Sequence, residues 1–174
     1  MSWSIDGPQG NEAAKIRWEI VRYTGGRGLD LGCGTNKPFE HFIGVDNSHH
    51  AKEFGWDIKP DIHVDTCEDL SIFGGNSMDF VFSSHLLEHI EDYKKALKEW
   101  WRVLKQKGFL ILYLPDEDEY PKVGEEGANP DHKWNVNYDK VVSAMKVVGS
   151  WDLIDFQKRN GDNEYSLFFV FQKI

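Results

Sequence analysis

Long apolar runs are what this 174-residue chain lacks first: no stretch approaches the ~18 apolar residues of a membrane span, and nothing near its start pairs a basic region with an apolar one. Neither a membrane partner nor a secretory route is expected, and the reading is a cytoplasmic one. Cysteine is scarce. Cys33 and Cys67 stand far apart and form no Cys-x-x-Cys pair, so neither a zinc ribbon nor a disulfide framework is signalled. Basic residues are outnumbered, 20 Lys and Arg against 29 Asp and Glu, and the net charge is -9. The only dense charge run is acidic, Asp116-Glu117-Asp118-Glu119. A nucleic-acid binder draws its affinity from a basic patch that releases counterions, so no nucleic-acid partner is expected. Repeats and low-complexity tracts are missing as well, which leaves one domain over residues 1–174 as the expectation.

What is present is an alternation of apolar patterns. Ala13, Ile16, Ile20 and Tyr23 recur at spacings of three and four, which predicts a helix over residues 11–24 with Asn11 as its cap. Four apolar runs of strand length follow, at residues 28–31, 42–45, 62–64 and 78–82, each trailed by Gly, Asp, Asn or Ser. Leu86, Ile90, Tyr93, Leu97, Trp100 and Leu104 then predict the longest helix, over residues 86–105, stopped by Lys107-Gly108. Residues 109–114 are almost wholly apolar, as in a central strand covered on both faces. Residues 115–137 show no periodicity and make a loop of a length that usually has a purpose. A short helix over 138–148 and a hairpin of 151–157 with 165–171 close the chain. This order specifies an α/β protein with a seven-stranded sheet, parallel except for its carboxy-terminal hairpin.

The chemistry gathers at the first strand. Gly32-Cys33-Gly34 lets the chain turn tightly and lets a ligand approach the main chain. Asp30 precedes the turn by two residues, where a carboxylate would repel the phosphates of a dinucleotide but would attract an ammonium or sulfonium. Asp46 ends the second strand and Asp65 the third, so three acids line the crevice in which open α/β sheets bind ligands. The plainer reading of each acid alone is a cap or turn residue.

In combination, Leu29-Asp30-Leu31-Gly32-Cys33-Gly34, Gly44-Val45-Asp46, Asp65 with Glu68-Asp69-Leu70, and the run from Met78 to Ile90 resemble the class I S-adenosylmethionine-dependent methyltransferases, closest to the subgroup acting on small molecules and sugars. The resemblance implies their Rossmann-like sandwich and S-adenosylmethionine as cofactor. It implies Asp30 near the methionine amino group, with Gly32, Cys33 and Gly34 against the methionine moiety. It also implies Asp46 and Asn47 on the ribose side, Asp65 and Thr66 near adenine, and Ser83 and His85 beside the methionine end. Two departures stand out. Lys37 occupies the place of a third glycine, and only eight residues separate Gly34 from Ile43, room for about one helical turn. Both departures also argue against a nicotinamide-dependent oxidoreductase. One face of the first strands is expected to be thinly covered, filled by the amino-terminal helix or by a second subunit of a homodimer.

The expected activity is methyl transfer to an oxygen or nitrogen of a small-molecule acceptor; the alternative is a non-catalytic module that keeps the fold to bind a partner. His132, in the long loop, is the candidate general base, because a neutral imidazole suits that role near pH 7. His85-Leu86-Leu87-Glu88-His89 matches the His-x-x-Glu-His of inverted zinc proteases, a pattern of only three fixed residues in the wrong context. Within the methyltransferase resemblance, some members acting on hydroxyl groups hold a divalent cation with Glu-x-x-Glu-His at this place and a downstream histidine; Glu88, His89 and His132 match, and His85 replaces the first Glu. The simpler reading is that Glu88 and His89 cap or pack the helix start, and no metal is expected.

Overall fold

The computed structural model describes residues 12–161 and 163–174, the side chains of residues 50, 51 and 54 excepted. Its strands are β1 Gly28–Leu31, β2 Ile43–Asp46, β3 Ile62–His63, β4 Met78–Ser84, β5 Leu104–Pro115, β6 Trp151–Arg159 and β7 Ser166–Lys173. They form one seven-stranded sheet in the order β3-β2-β1-β4-β5-β7-β6. The β1–β5 neighbours are parallel, and β7 runs antiparallel between β5 and β6. The expected mixed α/β sheet is therefore present. Strand order reverses between β1 and β4, with Asp30 opposite Phe82, and such a switch point opens a crevice at the carboxyl ends of the strands.

Successive strand residues face opposite sides, which sorts the core into two layers. Leu29, Leu31, Val81, Leu110, Leu112, Phe169 and Phe171 share one layer with Leu97 and Trp100 of α4 (Tyr93–Val103) and Val141 and Met145 of α5 (Tyr138–Met145). Phe80, Phe82, Ile111, Tyr113, Phe168 and Val170 share the other with Ile16, Ile20 and Tyr23. The amino-terminal segment thus covers the face that short crossovers leave bare. Only residues 49–54 (α3, His49–Phe54) are helical between β1 and β3, and the stretch from 35 to 41 forms turns.

Three expected helices are shorter than their periodicity. The first is broken into α1 (Glu12–Lys15), α2 (Arg17–Ile20) and a 3-10 turn at Val21–Tyr23, because Ile16 is driven fully into the core at φ -110°, ψ 12°. Its expected Asn11 cap lies outside the described residues. The helix expected from Leu86 to Lys105 is a 3-10 turn at Leu87–His89, an extended Ile90, and then α4, capped by Asp92 accepting from the Lys95 N–H at 3.0 Å. It stops at Val103. Lys107, at φ 65°, and Gly108 form a kink inside β5, where a Cβ on Gly108 would meet the Asp79 carbonyl at 2.9 Å. The last helix, α5, ends at Met145, three residues before Val148.

Candidate methyl-donor and acceptor crevice

The glycine turn after β1 is held from β2. Gly32 donates its N–H to the Val45 carbonyl at 2.8 Å, and Gly34 donates to Asp46 Oδ2 at 3.0 Å. Asp46 Oδ1 accepts from the Ser48 N–H at 2.6 Å, so one carboxylate joins the two turns. Gly32 has φ 71°, and a Cβ there would lie 3.0 Å from the Leu86 side chain. Cys33 is a packing residue: its Sγ would lie 3.0 Å from a Cβ on Gly44, and burial pushes its thiol pKa far up. Lys37, in place of a third glycine, binds Asp61 Oδ2 at 2.6 Å and the Phe42 carbonyl at 2.9 Å. This brace replaces the missing crossover helix and holds the Asp61 carboxyl below its usual range.

Asp30 is 2% exposed and its Oδ2 has no hydrogen-bond partner. Burial, and then the neighbouring Asp46, push its pKa to about 8. Ser83, at the end of β4 beside Leu31, is fully buried with an equally unpartnered Oγ. Asp30, Gly32, Gly34, Asp46 and Ser83 thus sit at the carboxyl ends of adjoining strands. Asn47 follows them, and its Oδ1 caps α3 through the His49 N–H at 2.9 Å. Asp65 lies just past β3 and is exposed, while Thr66 Oγ1 donates to Glu68 Oε2 at 3.2 Å.

Beyond β4 the chain turns through His85, a non-glycine residue at φ 50°. Its N–H donates to the Tyr113 carbonyl at 2.8 Å, and its Nε2 pairs with Ser166 Oγ at 2.9 Å. The aperiodic loop is docked on this turn. Lys133 donates its N–H to the Glu88 carbonyl at 2.8 Å, Trp134 Nε1 donates to the Leu87 carbonyl at 3.0 Å, and the Trp134 ring stacks on Tyr93 at 4.0 Å. His132 is brought in with it, 8% exposed against the expectation for an acidic loop. Burial lowers its pKa to about 4. Sequence reasoning missed the burial of Glu88, and it missed Tyr120, which meets His132 within the same loop, and Ser166, which meets His85 from β7. The Glu88 burial had one signal, the His-x-x-Glu-His spacing; the others come from long-range contacts and had none.

The sequence pattern of the family described as "Methyltransferase domain" matches residues 29–112, the span from β1 through most of β5. That span, just under half of the chain, is similar to a methyltransferase domain. The chain is 36% identical over 98 residues to an uncharacterized protein of Methanocaldococcus jannaschii, covering 55% of this chain and 47% of that one. It therefore spans about half the length of that relative. Its fold is similar to that of a SAM-dependent methyltransferase from Archaeoglobus fulgidus, with TM-score 0.68, 18% identity and 92% of each chain covered. The S-adenosylmethionine-dependent methyltransferase from Mesorhizobium loti gives TM-score 0.70 at 16% identity, over 96% of this chain and 100% of that one. No described helix of the chain is long and apolar enough to cross a membrane.

Proposed function

We propose that this protein transfers a methyl group from S-adenosylmethionine to an oxygen or nitrogen of a small-molecule or sugar-like acceptor. The observation that carries the reading is Asp30: a buried carboxylate at the topological switch point, with one oxygen lacking any partner, beside a glycine turn. A buried carboxylate without a partner is costly, and an ammonium group placed there removes the cost. The cofactor fits the rest of the residues. In this reading Gly32, Cys33 and Gly34 face the methionine moiety, and Asp46 and Asn47 serve the ribose hydroxyls. Asp65 and Thr66 serve the adenine side, and Ser83 and His85 the methionine end.

When bound, the cofactor supplies a methyl group already activated by its sulfonium. The protein then has mainly to align two reactants and keep water out, and alignment alone is worth up to ~7–11 kcal/mol. In this reading the loop carrying His132 and Trp134, docked on the turn after β4, covers the acceptor. His132 stays neutral at pH 7, because burial disfavours its charged form, so its lone pair can take the acceptor proton.

The test is calorimetric binding of S-adenosylmethionine, followed by a screen for S-adenosylhomocysteine release over pooled acceptors. His132→Gln is expected to slow turnover ~100-fold or more while leaving cofactor affinity unchanged. Absence of cofactor binding at millimolar concentration would overturn the reading in favour of a non-catalytic module.

A further inference from the structure

Among the described residues Glu88 is the only carboxylate with no exposed surface, and neither of its oxygens has a hydrogen-bond partner. Three imidazole nitrogens face its Oε1, His85 Nδ1 at 3.6 Å, His132 Nε2 at 3.8 Å and His89 Nε2 at 3.9 Å, all beyond hydrogen-bonding range. Burial pushes the Glu88 carboxyl up to about 8, the mark of an acid whose charge has no match. Glu12, on the amino-terminal segment, is matched. Lys15 Nζ lies 2.8 Å from it and 5.3 Å from the centre of the Tyr165 ring, so one ammonium already sits between a carboxylate and an aromatic face. The Tyr165 ring is 5.0 Å from that of Tyr120, which in turn is 5.2 Å from the His132 ring. Burial raises both phenols and the charges of Glu12 and Glu88 raise them further, so two acids and two rings share one space. Every buried side-chain atom left without a partner among the described residues is an oxygen, and none is a nitrogen.

A ligand for this space must therefore bring hydrogen-bond donors and positive charge. An ammonium group has three donors and no acceptor, whereas a hydroxyl adds an acceptor, and a carboxylate or phosphate is repelled by the acids. We propose that the methyl acceptor is a primary amine, taken up as its ammonium ion between Glu88 and the rings of Tyr120 and Tyr165. Glu88 supplies the counter-charge, and the ammonium displaces the proton that the buried carboxyl otherwise holds. His132 keeps the role of base. Its Nε2 takes one proton from the bound ammonium, and the ionised Glu88 at 3.8 Å offsets the charge that the imidazole gains. The nitrogen lone pair then forms the N–C bond to the methyl group while the C–S bond breaks, its electron pair staying on sulfur. The site is assembled from distant segments: Glu88 from the turn after β4, Tyr120 and His132 from the docked loop, and Tyr165 from the residue before β7. That the amine is the methyl acceptor rests on the methyl-transfer reading; the binding of amines at Glu88 does not.

The probes are phenethylamine, cyclohexylamine and butylamine, each beside the alcohol of the same carbon skeleton, with phenylacetate as the anionic counterpart of the first. Calorimetry in the presence of S-adenosylhomocysteine reads binding, and S-adenosylhomocysteine release from S-adenosylmethionine reads transfer. At least one amine should bind about tenfold or more tighter than its alcohol and be methylated, while the alcohols and phenylacetate are not. Glu88→Gln keeps the shape of the side chain and should weaken amine binding ~10–100-fold, leaving alcohol and cofactor affinity unchanged. Tyr120→Leu removes a ring and no charge and should weaken amine binding about threefold, which keeps the test open if Glu88→Gln does not fold. Asp57→Asn, at a carboxylate 78% exposed and paired with Lys59, should change nothing. Circular dichroism checks the fold of each variant. The proposal is overturned by equal affinity for amines and alcohols, by unchanged amine affinity in folded Glu88→Gln, or by no amine binding up to millimolar concentration. S-adenosylmethionine calorimetry on the same samples keeps the two readings apart. Intact cofactor binding without amine preference overturns only the acceptor class, and amine binding without cofactor binding overturns only methyl transfer.

Discussion

Replacing Asp30 tests the cofactor crevice at its most constrained atom. In the ligand-free protein the carboxyl titrates at about 8, up from 3.8, because it is buried and because Asp46 is near. Below pH 8 it therefore carries a proton, and a neutral acid offers an ammonium group little. Binding must expel that proton. Affinity for S-adenosylmethionine should then rise about tenfold per pH unit well below pH 8, or ~100-fold between pH 5 and pH 7, about 2.7 kcal/mol. Above that range the amino group of the ligand, with an α-amino pKa of ~8, loses its own charge, so affinity should peak near pH 8. Calorimetry in two buffers of different ionisation enthalpy should show close to one proton released per cofactor at pH 6. In Asp30→Asn the slope should vanish, and affinity at pH 8 should fall by ~1.5–3 kcal/mol, the worth of a hydrogen bond to a charged group. A flat profile in the parent protein, or the same slope in Asp30→Asn, would refute the reasoning.

The same shift makes a stability prediction of opposite sign. The folded protein holds the Asp30 proton up to about pH 8, whereas the unfolded chain releases it near 3.8. The contribution to stability is thus full below that lower value and is lost as pH rises through 8, at up to ~1.4 kcal/mol per pH unit. Ligand-free Asp30→Asn should be the more stable protein at pH 8, with an advantage that shrinks towards pH 4. Urea midpoints at several pH values would show a constant difference if the carboxyl were ionised throughout.

Three further substitutions address parts of the molecule around that crevice. Gly32→Ala places a side chain at φ 71° and 3.0 Å from Leu86, so a loss of ~1–2 kcal/mol in urea unfolding and weaker cofactor binding are expected. Unchanged stability would mean that the turn is not held as described. Trp134→Ala removes the Tyr93 stack and the hydrogen bond to Leu87; it should speed proteolysis within residues 116–137 and lower turnover while leaving cofactor affinity intact. Trp100→Ala empties a fully buried site and leaves the Cys67 carbonyl without its 2.8 Å donor, which should cost ~3–5 kcal/mol by urea denaturation; Trp100→Phe should cost less than half as much.

Strand positions were legible in the sequence because the cores of β4 and of the second half of β5 are buried on both faces and read as apolar runs, Phe80 to Phe82 and Phe109 to Leu114. Helix limits were less so. From Leu86 to Leu104 the apolar spacing stays helical throughout, yet Asp92 caps a helix that starts only at Tyr93, and the Trp134 contact holds the preceding turn in another geometry. Periodicity reports which side chains are buried, and a 3-10 turn followed by an α-helix can bury the same set. The glycines and acids of the candidate crevice could be located in the sequence because they fall within short, ordered segments. His132 could be named from its residue type alone, but its burial depends on Trp134 stacking on a tyrosine from 41 positions earlier, and no local pattern encodes that.

The unpartnered buried polar atoms follow the same geography. Asp30 Oδ2, Ser83 Oγ, Ser84 Oγ and both Glu88 oxygens lie at the carboxyl ends of β1 and β4 or in the turn that follows, while the other two such atoms, Glu12 Oε2 and Asp116 Oδ2, have the cations of Lys15 and Lys158 beside them at 2.8 and 3.0 Å. Native proteins satisfy nearly all such atoms, so a cluster on one edge of a sheet marks polar capacity held for something other than the chain itself. The opposite edge shows the contrast. There Asp79 is spent on structure, accepting from the Arg27 N–H at 2.8 Å and from Lys105 Nζ at 2.7 Å. Two acids on neighbouring strands therefore do different work according to which end of the strand they occupy. Asp79 stabilises the fold as it stands, whereas the unpartnered Asp30 destabilises the ligand-free chain as pH rises towards 8, a loss that a bound cation would offset.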